Sequence, residues 1–392
     1  MTSVHGDGEI LTELHRDAGA LLTQVADASV PRHYGDPAGE YRAAGEQVAV
    51  VDRSHRVLLL VTGRAPGRMM TGVATGTMPP DPERVEPGIS RGRAHYSTIL
   101  TPRGKVVTDL RMIRLEPGEE GTLLLDLPRA GAAPAREHFG KYMPPRFARV
   151  EAPDEPLGIL TVVGPQGADL VSREVLGLRV DARVLAGMEE GEERIGDGAP
   201  RPVGMRVIRN GDVSPPALDV VAPLSTLRTL WSRFMELGVT PAGNGVWETL
   251  RIEKGRPAFG VELDADTLPP EAGIGARAID HAKGCYTGQE VIVRIRDRGK
   301  VNRHLRGFLL GDAPTPEPGT PLFIAGRERE AGEIRSVAQS PRLRQGIALG
   351  YLRRELEPPG TARLGSPDGP KVGVRALSDE GWLLVEGDPG RD

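Results

Sequence analysis

Lys283-Gly284-Cys285-Tyr286-Thr287-Gly288-Gln289-Glu290 holds the one cysteine among 392 residues. Two glycines flank that cysteine, and a lysine lies two positions before it. A thiol reacts or binds metal as its thiolate, which a nearby cation or a helix N-terminus favours. Lys283 can supply the cation. Thr287-x-x-Glu290 reads as a capping box, with Thr287 at N-cap and Glu290 at N3. Cys285 then falls just outside the positive end of a helix, where backbone N–H groups also attract anions. Gly284 and Gly288 permit positive φ and close approach of a ligand to the backbone. The next residues, Val291 to Arg296, are β-branched and alternating, which favours a strand. Local rules therefore leave this element open between helix and strand. The ordinary role of a free cysteine, a small core hydrophobe, stands beside the reactive one.

Working outward, the chain is long enough for two or three domains. A net charge of −4 and a pI of about 6.1 make no global case for nucleic-acid binding. Apolar residues at 39% support real cores, while 51 glycines and 35 prolines point to many turns and short strands. One cysteine cannot form an intramolecular disulfide framework, which fits a reducing compartment. No apolar run approaches the ~20 residues needed to span a bilayer. Met1 to Glu13 is polar and lacks a signal-peptide core. The expectation is a cytoplasmic protein with no membrane partner.

Residues 1–30 read as a loosely attached segment containing a helix from Ile10 to Val25. Residues 31–150 read as a first α+β lobe. Its strands are Val57 to Val61, the hairpin pair Tyr96 to Leu100 and Val106 to Leu110, and Thr122 to Asp126. Its helices are Arg64 to Val73 and Ala132 to Tyr142. Residues 151–305 read as a second, similar lobe. It has a strand at Gly158 to Gly164, a helix at Ala168 to Leu176, a polar loop from Glu189 to Gly204, and a helix at Leu224 to Leu237 stopped by Gly238. Residues 306–392 read as a small β-barrel or sandwich. Its strands are Pro321 to Ala325, Ala331 to Val337, Ile347 to Leu352, Val372 to Ala376 and Trp382 to Glu386.

Eight scattered histidines show no metal-site spacing, so no metal is expected. Phosphate-loop, dinucleotide and nucleophile-elbow patterns are absent. Arg294, Arg296, Arg298, Lys300, Arg303 and Arg306 fall within thirteen residues, opposed by Asp297. They form either a solvated face or a lip for anions such as RNA or a carboxylate-rich ligand. Aromatic residues at 4% leave few stacking platforms, which ranks RNA last.

The octapeptide, extended through Arg298-Gly299-Lys300-Val301-Asn302-Arg303, resembles the signature of the YgfZ family. These are folate-binding proteins related to the T-protein (aminomethyltransferase) of the glycine cleavage system. Val51-Asp52-Arg53-Ser54-His55 with Val61-Thr62-Gly63 resembles the family's opening. Leu100 to Leu110 resembles its hairpin, and Leu250 to Pro257 with Phe259 to Leu263 the stretch lining its folate pocket. Ala331 to Ser336 and Ile347 to Tyr351 resemble its C-terminal barrel. The likeness spans roughly His33 to Arg354.

It implies an α+β, T-protein-like fold, with two α+β lobes and a small C-terminal β-barrel around a central channel. It also implies tetrahydrofolate as cofactor, a helix after the cysteine, and Cys285 and Lys283 as the reactive pair. Its partners are folate and iron–sulfur client or assembly proteins. The remaining octapeptide residues, Gly284, Tyr286, Gly288, Gln289 and Glu290, are then read as folate contacts. Two departures bear on activity. A Gly-Glu-x-Gly-Tyr/Phe-Glu run that helps hold the pterin in the T-protein is replaced by Gly211 to Asp219, with Pro215 and Pro216 inside it. The acidic pair of the T-protein hairpin is reduced to Thr108-Asp109.

A pterin offers a donor face that a carboxylate can recognise with paired hydrogen bonds. Asp109, Asp219 and Glu253 are the candidates, although Glu253 could equally pair with Arg251 or Lys254. Arg251 suits the glutamate carboxylate of folate, or a structural ion pair. Tyr96 could stack on the pterin or fill the core. The leading reading is a tetrahydrofolate-binding protein that supports iron–sulfur proteins through Cys285. A single thiolate cannot hold a whole cluster, so its part would be a transient ligand, an exchanging thiol or an oxidation sensor. The alternative is a folate-dependent one-carbon (aminomethyl) transferase or demethylase acting on a small amine, with Asp109 as general base or charge stabiliser.

Overall fold

The structure, a computed structural model, describes residues 9–175, 179–196, 203–378 and Trp382. Two antiparallel-dominated sheets pack face to face, with helices on their outer sides. Five strands run in the order Arg149–Glu151, Val57–Thr62, Leu123–Leu127, Val106–Arg114, His95–Leu100. Eight run in the order Thr240–Pro241, Ala49–Asp52, Leu157–Val163, Ala217–Pro223, Met205–Asn210, Glu192–Gly196, Ile89–Arg93, Glu83–Glu86. The larger sheet thus takes strands from both halves of the chain.

Period-two alternation explains the layers, because successive strand residues face opposite sides. Leu123 and Leu125 turn outward, where they meet Ala135 and Phe139 of the helix Arg129–Tyr142 and Met70 and Val73 of the helix Pro66–Val73. Leu124, between them, turns inward with Ile113 to meet Ile159, Ile208 and Val221 of the eight-stranded sheet. The outer face of that sheet, including Leu160, Val207 and Val220, packs on Leu227, Trp231 and Phe234 of the helix Leu224–Glu236. With both faces buried, these strands read as continuous apolar runs. Arg303–Gly311, Gln345–Arg353, Glu330–Ser340, Pro321–Phe323, Gly360–Leu364 and Lys371–Arg375 close into a six-stranded barrel. No helix among the described residues is long and apolar enough to cross a membrane.

Three expectations change. Ile10 to Val25 is not one helix: Glu9–Asp17 is helical, Gly19 adopts φ 79°, and Leu21–Val25 pairs with Ala28–His33. Nor is this stretch loosely attached. Leu11 is buried, and the His15 ring meets Trp231 edge-on at 4.7 Å while its Nε2 lies 2.7 Å from Asp52. The polar Glu189–Gly204 loop contains the strand Glu192–Gly196. Its Glu193 is buried against Arg206 at 2.9 Å, and a compensated internal charge hides a strand from hydropathy. Beyond Trp382, the expected last strand lies outside the described residues. Trp382 itself is buried and donates its indole N–H to the carbonyl of Ile252 at 2.7 Å.

Candidate functional site

The apolar filling between the sheets stops short of one end. On the inward face of Val106–Arg114, Ile113 gives way to Arg111 and then Asp109. On Leu123–Leu127, Leu124 gives way to Asp126, and on Ala217–Pro223, Val221 gives way to Asp219. Asp109, Arg111 and Asp126 line a cavity of about 780 Å³, and Asp219 lies behind its wall. Loops around Gly76 and Glu190, the helix Asn244–Lys254, the segment after it, and the helix Gly275–Ala278 complete its wall. Nine arginines and six carboxylates line it.

A buried chain of alternating charge forms one side. The Arg56 guanidinium bonds Asp126. Arg111 lies 3.0 Å from Asp126 and 2.7 Å from Asp219. Arg53 approaches Asp219 at 3.6 Å and stacks 3.8 Å over the Trp247 ring. Thr161 and Asn210 also donate to Asp219, at 2.7 and 3.0 Å. Asp219 is wholly buried, its oxygens taken, and it does not line the cavity. Its role in this structure is to hold Arg53 and Arg111, which do line it.

Asp109 does line the cavity. The Tyr96 hydroxyl donates to its Oδ2 at 2.9 Å, and its Oδ1 is buried with no partner. Burial pushes the Asp109 carboxyl above the usual range, outweighing the pull of Arg56. Burial also holds the Tyr96 hydroxyl well above its ordinary value, so it stays a donor. Arg277 stacks 4.1 Å over the Tyr96 ring and donates to Asp212 at 2.8 Å. For Asp212, burial pushes the carboxyl up, but Arg277 and Arg53 together outweigh it and keep the group far below the usual range. His55, also in the wall, is held neutral by burial, its pKa lowered to about 3, and its Nδ1 has no partner.

The other expected residues fall elsewhere or serve other partners. Arg251 lines the cavity, but Glu248 takes its Nε and Nη2, and Glu262 takes its Nη1 at 2.8 Å. Glu253 pairs with neither Arg251 nor Lys254. It accepts from Tyr41 at 2.9 Å and from Ser340 of the barrel, outside the cavity. None of residues 283–290 lines the cavity. Cys285 is exposed. Lys283 donates to the carbonyls of Ala74 and Gly76, at 2.6 and 3.0 Å, and burial lowers its pKa to about 8. Gly76 belongs to the cavity wall, so Lys283 braces that wall from behind. Tyr286 is buried against Leu100, Val106 and Ile292.

The element after the cysteine is the helix Gln289–Arg298, capped by Gly288 at φ 84° rather than by Thr287. The Thr287 N–H instead donates to the carbonyl of Gly72. A Cβ on Gly288 would lie 2.5 Å from the carbonyl oxygen of Thr101, so this glycine lets the segment close on the hairpin. Gly284 has open space around it and needs no positive φ. Glu290 is exposed in the first helical turn, and Gln289 begins the helix.

Sequence reasoning missed Arg53, Arg56, Arg111, Asp126, Asp212 and Arg277 as site residues. A signal existed for Asp126 and Asp219, since each is a lone carboxylate in an otherwise apolar strand. Such a residue is buried and must find a cation. Nothing local pairs Asp212 with Arg277, 65 positions away.

The two packed lobes and six-stranded barrel are the T-protein fold. A solved structure of glycine cleavage system aminomethyltransferase T from Bartonella henselae superimposes with a TM-score of 0.78. It covers 95% of this chain and 98% of its own, at 18% identity. The GCVT N-terminal domain matches residues 11–283 and the glycine cleavage T-protein C-terminal barrel domain residues 303–372. The chain belongs to the GCVT family. Similar curated relatives are the aminomethyltransferases of Rubrobacter xylanophilus and of a Synechococcus strain. The first is 27% identical, covering 88% of this chain and 87% of the relative. The second is 28% identical, covering 92% and 93%. Aminomethyltransferases of this family bind tetrahydrofolate. The cavity fits such a ligand in size, and His55, Asp109 and Arg111 in its wall carry buried polar atoms without hydrogen-bond partners.

Proposed function

We propose that this protein is a cytoplasmic, tetrahydrofolate-dependent one-carbon transferase of the aminomethyl-transfer type, with Asp109 as its central acid–base group. The observation that carries this reading is the unpartnered Oδ1 of Asp109, on a carboxyl raised by burial in the cavity wall. Bound tetrahydrofolate supplies the nitrogen that takes up or releases the one-carbon unit. Asp109 holds a proton at Oδ1 and exchanges it with the reacting amine. Tyr96 fixes the other oxygen, and Arg277 steadies the Tyr96 ring. The Arg56–Asp126–Arg111–Asp219–Arg53 chain pairs the buried charges of the wall with one another.

A second reading is a YgfZ-type role in supporting iron–sulfur proteins. Its one structural support is the exposure of Cys285, which leaves the thiol accessible to a partner. The first reading is better supported, because the relatives named above are aminomethyltransferases and the unpartnered Oδ1 of Asp109 faces the cavity.

The test is calorimetric titration of the purified protein with tetrahydrofolate, followed by turnover assays with small amine donors. Asp109→Asn should lower turnover by roughly 10²–10⁴-fold, as loss of a general acid–base group does. Turnover by the variant at the wild-type rate would remove Asp109 from the chemistry.

A further inference from the structure

Asp219 stands at the end of the run that resembles the pterin-holding run of the T-protein, yet its oxygens are spent on Arg53, Arg111, Thr161 and Asn210. Asp212 belongs to the same altered run, and it lines the cavity with a side chain 33% exposed. Its Oδ1 accepts from Arg277, and no other side chain of the described residues donates to it. A carboxylate offers about four acceptor positions, so capacity remains. The other wall carboxylates are committed. Asp126 lies between two arginines, Glu190 takes Arg277 and approaches Arg256, Glu248 takes two donors from Arg251, and Asp280 accepts from the Thr77 hydroxyl and the Ala282 N–H on its two oxygens. Asp109 accepts from Tyr96 at Oδ2, and its unpartnered Oδ1 is the group assigned above to the reacting amine.

The chemistry of the wall selects the kind of donor. Arginines outnumber carboxylates around the cavity, nine to six. An ammonium group beside Asp212 would face the fields of Arg277 and Arg53. A neutral pair of N–H donors gains the charge-assisted hydrogen bonds without that repulsion. We propose that Asp212, aligned by Arg277, recognises the 2-amino-4-oxopyrimidine edge of the ligand. This rests on the folate reading above and assigns the two open carboxyls different work: Asp212 holds the heterocycle, and Asp109 serves the reacting end.

The experiment is calorimetric titration of wild type and Asp212→Asn with tetrahydrofolate and with an analogue carrying methyl in place of the 2-amino group. Wild type should prefer tetrahydrofolate by at least roughly tenfold, the worth of one hydrogen bond to a charged group. Asp212→Asn should lose at least roughly tenfold in tetrahydrofolate affinity and bind both compounds alike. A merely structural role for Asp212 would weaken both ligands equally and leave the preference intact, which would overturn the proposal while the folate reading stood. No tetrahydrofolate binding by wild type would overturn both together. If Asp212→Asn does not fold, Asp212→Glu keeps the charge beside Arg277 and displaces the oxygens. It should narrow the preference, and an unchanged preference would again count against the assignment.

Discussion

The Lys283–Glu290 segment and the cavity around Asp109 share a boundary at Gly76, but they are built on different principles. The segment is conspicuous because its backbone is constrained. Gly288 must be a glycine to pass Thr101, Tyr286 must fill a core, and Lys283 must reach two carbonyls. Every one of those features serves closure of the fold. The cavity is inconspicuous in sequence, because its residues are ordinary aspartates and arginines spread over many elements. It nevertheless gathers three residues with buried polar atoms that lack hydrogen-bond partners, Asp109, His55 and Arg111, whereas the segment has one, the Tyr286 hydroxyl. Local conformational demand makes a motif recognisable, whereas unsatisfied polarity in a concave, buried place makes a site.

The largest effect that could break this contrast concerns the charge chain. Asp219→Ala leaves Arg53 without its acid and Arg111 with only Asp126. Removal of one partner from a buried pair typically costs about 3–5 kcal/mol, read by denaturant unfolding. A loss below about 1 kcal/mol would mean that the arginines re-pair and that the wall is not held by Asp219.

Asp109 sharpens the contrast through pH. Its carboxyl is raised in the folded state, so the folded protein binds this proton more tightly than the unfolded chain. Stability from this group is present at low pH and is lost as pH rises from the ordinary aspartate range through the raised value. Asp109→Asn should therefore be more stable than wild type at neutral pH, and the advantage should vanish in acid. Thermal melts across pH 4 to 8 would show it, and a pH-independent difference would contradict the buried-acid description.

Lys283 behaves with the opposite slope. Its folded pKa is about 8 against an ordinary 10.5, so between those values the unfolded chain binds more protons. Wild type should gain stability relative to Lys283→Met as pH rises from 8 to 10.5. A flat difference would show that the amine is solvated rather than braced behind Gly76.

The smallest effect is expected at the most conspicuous residue. Cys285 is exposed and outside the cavity wall, so Cys285→Ala should change stability by no more than about 0.5 kcal/mol and leave tetrahydrofolate affinity unaltered. A large loss of folate binding or turnover in this variant would erase the distinction between the two regions. Loss of a cellular iron–sulfur function with folate binding intact would instead favour the second reading for the thiol.

The sequence by itself determined much of the architecture. The hairpin around Thr101 to Gly104, the leucine-rich strands, the helix closed by Gly238 and the C-terminal barrel strands all follow from periodicity and turn chemistry, which act over a few residues. Asp109 and Tyr96 are candidates through the resemblance of their hairpin to that of the T-protein and through pterin chemistry, and both line the cavity. The tertiary structure alone decided which other charges meet. Asp126, Asp219, Arg111 and the turn holding Arg53 and Arg56 are four separate segments, and only the stacking of two sheets brings them into one chain. It decided too that Glu253 ties a helix to the barrel, that Arg251 is already paired, and that Asp212 and Arg277 meet beside Tyr96. Backbone preference is written in neighbouring residues. The ionisation and pairing of a buried charge are set by whatever the fold places within a few ångströms of it.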